Sequence, residues 1–128
     1  MQGLEIFVQS GAWAIVQLAA NAPVPAWAHD HEFVSITRTS DETSIICPAG
    51  AVPADVEAER GWVLLKLRGL FPFSQVGIFA SVAGPLAEAG IPLLALGTFN
   101  TDYFLVKQEQ LPLALAALTT AGHHVSVA

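Results

Sequence analysis

The chain has 128 residues, of which 53% are apolar and 12% are charged, a composition that excludes a disordered protein. The formal charge is −6 and the five Lys and Arg residues are scattered, so the basic patch of a nucleic-acid-binding protein is not expected. So few charges favour a homodimer that hides apolar surface. A single cysteine rules out an internal disulfide and a cysteine-based zinc site. No apolar run approaches the roughly 18 residues of a spanning helix, and no signal peptide is recognisable. We therefore expect a soluble, cytoplasmic protein without a membrane partner.

The first half of the chain is predicted to be a shortened copy of the second half. A strand is expected at Trp13–Leu18, which aligns with residues 62–67 at an offset of 49. Residues 19–32 contain two prolines and have room for only a short helical turn. Residues 36–46 align with residues 96–106 at an offset of 60 and predict a hairpin. Residues 52–56 are interpreted as the remnant of a second helix.

The second half alternates strands and helices. Apolar residues at helical spacing from Gln75 to Ala89 predict a helix that is capped by Ser74 and kinked near Gly84, because a proline follows. Spaced leucines predict a second helix over residues 109–121. The flanking strands are predicted at Trp62–Leu67, Ile91–Leu96, Tyr103–Val106 and Val125–Val127. This order is β-α-β-β-α-β, the pattern of α+β ferredoxin-like folds.

Two segments are candidates for a ligand site. The run Ser74–Gly77 precedes the first full helix, where backbone N–H groups lack helical partners and the positive dipole end attracts a carboxylate or phosphate. Capping and tight packing explain this run more simply. The run Thr98–Asp102 carries two hydroxyls, an amide and a carboxylate, which can pair with an ammonium or guanidinium group. An ordinary hairpin turn is the alternative. Its first-half counterpart, Thr39–Thr43, is also acidic.

Other polar residues give weaker indications of chemistry. A metal could be held at His29–His31 or at His123 and His124, but too few further ligands accompany them, and no metal or cofactor is expected. Cys47 has no activating neighbour and is interpreted as a buried, inert thiol.

The segment from Trp62 to Val127 resembles the ACT domain, an amino-acid-binding regulatory module. The similarity to short bacterial tandem-ACT proteins is carried by residues 73–78 and by the hairpin of residues 98–106, over which the CASTOR arginine sensors are also similar. The first half fits the same group through residues 27–28, 35–39 and 41–48. Typical ACT domains place Asp or Asn three residues before a glycine, where this chain has Ser74 before Gly77.

The resemblance implies a βαββαβ fold, units that pair side by side, and amino-acid ligands bound between units. We expect two ACT-like units, a degenerate one at residues 1–60 and a complete one at residues 61–128. The expected function is a non-catalytic amino-acid-binding regulatory or sensor protein, alone or acting on an unidentified protein partner, with arginine or lysine as the leading ligand. The predicted ligand site comprises Phe73, Ser74, Gln75, Val76, Gly77, Thr98, Phe99, Asn100, Asp102 and Glu42.

Two alternatives stay open at this point. One is a structural dimerisation module that has lost its ligand. The other is a small enzyme on the same scaffold that uses His29–His31, although no nucleophile–base pair or metal set is visible in the sequence.

Overall fold

The computed structural model describes residues 3–69, 71–72 and 74–127. The strands in this part of the chain are β1 (Glu5–Val8), β2 (Trp13–Leu18), β3 (Ser35–Arg38), β4 (Thr43–Pro48), β5 (Glu59–Leu67), β6 (Leu94–Gly97), β7 (Asp102–Lys107) and β8 (His124–Val127). The α-helices are α1 (Ile78–Glu88) and α2 (Leu111–Thr120), and single-turn 3-10 helices occur at Ala26–Ala28, Ala49–Ala51 and Gln108–Gln110.

The chain divides into two compact units. One unit, here called the α/β unit, joins the described residues up to 10 with those from 63 onward. The other, here called the strand-rich unit, comprises residues 11–62.

The α/β unit has its strands in the order β6-β7-β5-β1-β8. Strand β1 is antiparallel to β5 and parallel to β8. The apolar residues of α1 and α2 pack against alternate residues of these strands in one core. Its fully buried members include Ile6, Leu65, Val82, Phe104 and Leu118. The predicted β-α-β-β-α-β order from residue 62 onward is confirmed, as is the ferredoxin-like α+β class.

Strand β1 was not predicted from the sequence. In a simple β-α-β-β-α-β unit the last strand would lie beside the first, but here β1 lies between β5 and β8. Its close approach to the chain before β8 requires a residue without a side chain, because a Cβ on Gly3 would lie 2.1 Å from the Gly122 carbonyl oxygen. The N-terminal residues therefore complete the sheet of the α/β unit.

The strand-rich unit has the order β3-β4-β2, and the first residues of β5 pair with β2 through Trp62 and Trp13. Its elements follow in the order strand, helix, strand, strand, helix, strand, as in the α/β unit. Both helices are reduced to the 3-10 turns at 26–28 and 49–51. The expected short helical turn is confirmed, whereas residues 52–56, interpreted as a helix remnant, lie in bends and turns just after the second 3-10 helix.

The two hairpins correspond with a shift of one residue from the sequence alignment. The Thr39 N–H donates to the Glu42 carbonyl at 2.9 Å, and the Thr98 N–H donates to the Thr101 carbonyl at 2.8 Å. The strand pairs that close these turns are Arg38–Thr43 and Gly97–Asp102. Equivalent positions therefore differ by 59 instead of the predicted 60, so the alignment pairs residues whose side chains lie on opposite faces of their strands.

Helix α1 continues through Pro85, and a histidine replaces the hydrogen bond that the proline removes. Proline has no N–H, so the carbonyl four residues earlier, that of Ser81, loses its helical donor. His123 Nε2 lies 2.7 Å from this carbonyl oxygen, and His123 Nδ1 accepts the Leu4 N–H at 3.0 Å. Because Nδ1 accepts, the ring proton is on Nε2, which donates to Ser81. The predicted single helix is confirmed, and His123 is a structural residue.

Candidate ligand-binding site

A cavity of about 200 Å³ lies in the α/β unit between the loop that precedes α1 and the turn between β6 and β7. The Phe71 N–H donates to the Asn100 carbonyl at 2.9 Å, which ties the two loops together. Five of the predicted site residues line this cavity, namely Gln75, Thr98, Phe99, Asn100 and Asp102. The structure thus brings together two segments that are more than 20 residues apart in the sequence.

The wall formed by the β6–β7 turn is fixed by the hydroxyls of two threonines. Thr98 Oγ1 accepts the Thr101 N–H at 3.2 Å. Thr101 is only 6% exposed, and its hydroxyl donates to the Leu67 carbonyl on β5 at 3.0 Å. These bonds hold the turn against the sheet and place Asp102 at the start of β7 opposite Gly97. A Cβ on Gly97 would lie 3.2 Å from Asp102 Oδ1, so glycine leaves room for this carboxylate.

The helix start differs from the sequence prediction. Helix α1 begins at Ile78 with Gly77 as its N-cap, so the prediction that Ser74 caps the helix is wrong. Gly77 has φ +85°, a left-handed conformation that favours glycine, and its carbonyl accepts the Ser81 N–H at 3.0 Å. Ser74 instead lies in an exposed turn ahead of the helix. No side-chain hydrogen bond caps the helix among the described residues.

The remaining predicted site residues have different positions. Val76 and Gly77 are exposed beside the cavity segment, and Phe73 lies outside the described residues. Glu42 belongs to the strand-rich unit, where its carboxylate accepts a hydrogen bond from Gln17 Nε2 at 3.4 Å. The cavity is also lined by four residues that were not predicted, namely Phe71, Pro72, Ile78 and Thr101. Thr101 lies inside the predicted run Thr98–Asp102 and the other three residues lie next to the run 73–77, so proximity in sequence is the signal that could have found them.

One histidine of the run His29–His31 in the strand-rich unit is hydrogen-bonded to the backbone. His31 Nε2 lies 2.8 Å from the Trp27 carbonyl oxygen, and His29 and Asp30 are exposed. Within residues 3–69, 71–72 and 74–127, no group of three His, Cys, Asp or Glu side chains is arranged to hold a metal ion.

Cys47 is fully buried on β4. Burial raises the pKa of its thiol above the ordinary value of 9.0, and the nearby Arg60 guanidinium opposes this effect. The protonated thiol is therefore favoured in the folded protein. An unfolded chain would lose the thiol proton at lower pH than the folded chain, so stability from this group is present below pH 9 and is lost as the pH rises above it.

We expect urea denaturation to give a lower free energy of unfolding at pH 10 than at pH 8. In Cys47→Ala, which lacks the thiol, this decrease should be smaller. Equal decreases in both proteins would contradict the assignment. The native thiol should also react with iodoacetamide at pH 8 far more slowly than the thiol of the urea-unfolded chain.

No helix within the described part of the chain is long and apolar enough to cross a membrane.

A family model described as "ACT domain" matches residues 57–120, and a separate N-terminal-domain model matches residues 11–55.

Solved structures are similar over nearly the whole chain. A crystal structure of an Agobacterium tumefaciens protein is 37% identical, covers 100% of this chain and 96% of its own, and has a TM-score of 0.94. A protein of unknown function from Vibrio cholerae is 20% identical over 94% of this chain and 91% of its own, with a TM-score of 0.76. The regulatory subunit of aspartate kinase from Thermus flavus shares the fold at 11% identity and a TM-score of 0.61, over 94% of this chain and 99% of its own. The chain therefore belongs to the ACT-domain family, and this membership supports a regulatory, ligand-binding role in general.

Proposed function

We propose that this chain is a non-catalytic amino-acid-binding regulatory protein built from two ACT-like units, the strand-rich unit and the α/β unit. Its ligand would occupy the cavity between the loop before α1 and the β6–β7 turn, where this unit would pair with an ACT-like unit of a second copy. The observation that supports this most is that Asp102 and Ile78, the first residue of α1, line the same cavity. A free amino acid carries a carboxylate and an ammonium group. The start of a helix favours the negative group, and the Asp102 carboxylate favours the positive group.

Each charged group of a free amino acid would have its own partner in this cavity. The first backbone N–H groups of a helix have no helical acceptor, and the helix dipole is positive at this end. The α-carboxylate would bind there, close to Ile78. Asp102 would accept from the ammonium group or from a cationic side chain, and such charge-assisted bonds are worth about 1.5–3 kcal/mol each. Cavities for drug-sized ligands span roughly 300–1,000 Å³, so a cavity of about 200 Å³ suits a single amino acid.

The surface beside the cavity favours a homodimer. Val76 is 83% exposed and Phe99 is 81% exposed, and they lie on the two loops that form the cavity. Large apolar side chains so exposed next to a ligand site are typical of surfaces that a second chain covers. We propose that a second copy of this chain covers them. Glu42 of the second copy is proposed as a second carboxylate for the ligand.

We expect a thermal-shift screen of the twenty amino acids to find a stabilising ligand, with arginine or lysine first. A ligand at 100 times its dissociation constant adds about 2.7 kcal/mol to the stability. Calorimetric titration of Asp102→Asn should then show binding that is about tenfold or more weaker, because the shape is kept while the charge is removed.

The matched control is Asp55→Asn, which removes the same charge from an exposed turn of the strand-rich unit. It should bind like the original protein. Equal binding by Asp102→Asn and the original protein would place the site elsewhere. A screen without any stabilising amino acid would favour the structural dimerisation module. Gly77→Leu is less suitable as a blocking variant because a leucine at φ +85° is itself strained.

A further inference from the structure

A second cavity, of about 340 Å³, lies in the α/β unit and has a basic and aromatic lining. It shares Thr98, Asn100 and Thr101 with the first cavity, so the β6–β7 turn separates the two. Asp102 lines only the first cavity, whereas Lys66 and Arg68 line only the second. The two sides of this turn therefore have opposite charge.

The cations of the second cavity are set in place by strand pairing. Lys66 on β5 is the cross-strand partner of Phe7 on β1. Arg68 lies just after β5, where its N–H donates to the Glu5 carbonyl on β1 at 3.0 Å. Side chains two residues apart on a strand point to the same face, about 7 Å from one another. Each cation also lies over an aromatic ring. Lys66 Nζ is 5.9 Å from the centroid of Tyr103, and Arg68 Cζ is 6.0 Å from the centroid of Phe7.

One carboxylate competes for this positive charge. Arg68 Nη1 lies 3.0 Å from Glu5 Oε2, and the two side chains are 64% and 53% exposed, respectively. An ion pair so exposed is weak. A guanidinium carries five N–H donors, so one bond to Glu5 leaves it able to bind a second anion.

The charge of the cavity contrasts with that of the whole chain. The protein has a net charge of −6 and only five Lys and Arg residues, of which two line this one cavity. The half-buried rings of Phe7 and Tyr103 add flat apolar walls beside the two cations. A ligand that fits this lining carries negative charge and a flat apolar part.

We propose that this cavity is a second ligand site, which binds a small organic anion. Its carboxylate or phosphate group pairs with Lys66 and Arg68, and its flat apolar part lies against Phe7 and Tyr103. This site is separate from the proposed amino-acid site. Lys66 and Arg68 favour an anionic group of the ligand, whereas Asp102 in the first cavity favours a cationic group.

Calorimetric titration with benzoate and with phenyl phosphate tests the proposal. Binding of benzoate alone would identify a carboxylate ligand, and binding of phenyl phosphate alone a phosphate ligand. Benzamide, which has the same ring without the charge, should bind at least tenfold more weakly. Lys66→Gln and Arg68→Gln should each weaken binding of the anion about tenfold, because each removes a charge-assisted bond. Glu5→Gln should tighten binding about threefold by removing the competing carboxylate.

Two control variants test whether a change of charge outside the second cavity alters anion binding. Lys107→Gln removes one positive charge elsewhere on the same unit and should leave anion binding unchanged. Asp55→Asn, on an exposed turn of the strand-rich unit, should also leave it unchanged. The proposal is overturned if neither anion binds at millimolar concentration, if benzamide binds as tightly, or if Lys107→Gln weakens binding as much as Lys66→Gln does.

Discussion

Replacing His123 with alanine is expected to lower the free energy of unfolding by about 2–4 kcal/mol. The side chain is only 6% exposed and makes two hydrogen bonds, to the Leu4 N–H and to the Ser81 carbonyl. Removal of the ring leaves both backbone groups without these partners, and each unsatisfied buried group costs about 1–3 kcal/mol. Urea denaturation followed by circular dichroism would measure the loss.

The same substitution in a Pro85→Ala background tests the role of the histidine in the helix. Alanine at position 85 restores the N–H that the Ser81 carbonyl lacks, so the His123→Ala penalty should be smaller there by about 1 kcal/mol. His124→Ala, on the exposed neighbouring residue, is the matched control and should change stability by less than about 0.5 kcal/mol. Equal penalties for His123→Ala in the two backgrounds would show that the bond to Ser81 contributes nothing.

Local sequence signals predicted the elements that have an amphipathic residue pattern and those that end at a glycine. Both helices and the strands from residue 62 onward have apolar residues at the spacing that their secondary structure requires. Gly90 and Gly122, just after the helices, have the positive φ angles expected of residues that end a helix. The strand β1 has only four residues, and its partners β5 and β8 are about 60 and 120 residues away in sequence. Such pairing leaves no trace in a local pattern.

The start of α1 shows why serine was a misleading cap signal. Serine before an apolar run is a common N-cap, yet the chain first makes a turn at Ser74 and reaches the helix only at Gly77. The positive φ of that glycine sets the direction in which the chain enters the helix. Periodicity did not reveal this turn, because the apolar spacing that begins at Ile78 is compatible with a helix that starts three residues earlier.

The first cavity was partly predictable, whereas the second was not. Composition marked the Thr98–Asp102 run as polar, and the resemblance to ACT domains predicted that the helix start would face the acidic hairpin of a paired unit. The structure instead brings the loop before α1 and the hairpin of the same unit together. The five basic residues were interpreted as scattered or paired at best, and the shared position of Lys66, on β5, and Arg68, just after β5, in one cavity was not predicted. Strand alternation was the available signal. The aromatic partners come from β1 and β7, so they required the fold.

Strand β7 connects the core to both cavities. Its residues alternate between the two faces of the sheet, so Asp102 and Phe104 share one face while Tyr103 lies on the other. Asp102 lines the first cavity and Tyr103 lines the second. Phe104 is 1% exposed and packs in the core beneath the helices. The positions of both cavity-lining side chains therefore depend on how firmly the core holds Phe104.

Replacing Phe104 with alanine is expected to lower the free energy of unfolding by about 3–5 kcal/mol, the range for a buried phenylalanine that leaves a cavity. Phe79 on α1 is the matched control, because its ring centroid lies 5.7 Å from that of Phe104 but the side chain is 49% exposed. Phe79→Ala should cost about 1 kcal/mol. The double variant should be about 0.5–1.5 kcal/mol more stable than additivity predicts, because the ring–ring contact is lost only once. Urea denaturation of the four proteins measures all three values, and a penalty for Phe104→Ala as small as that for Phe79→Ala would show that β7 is not anchored through this ring.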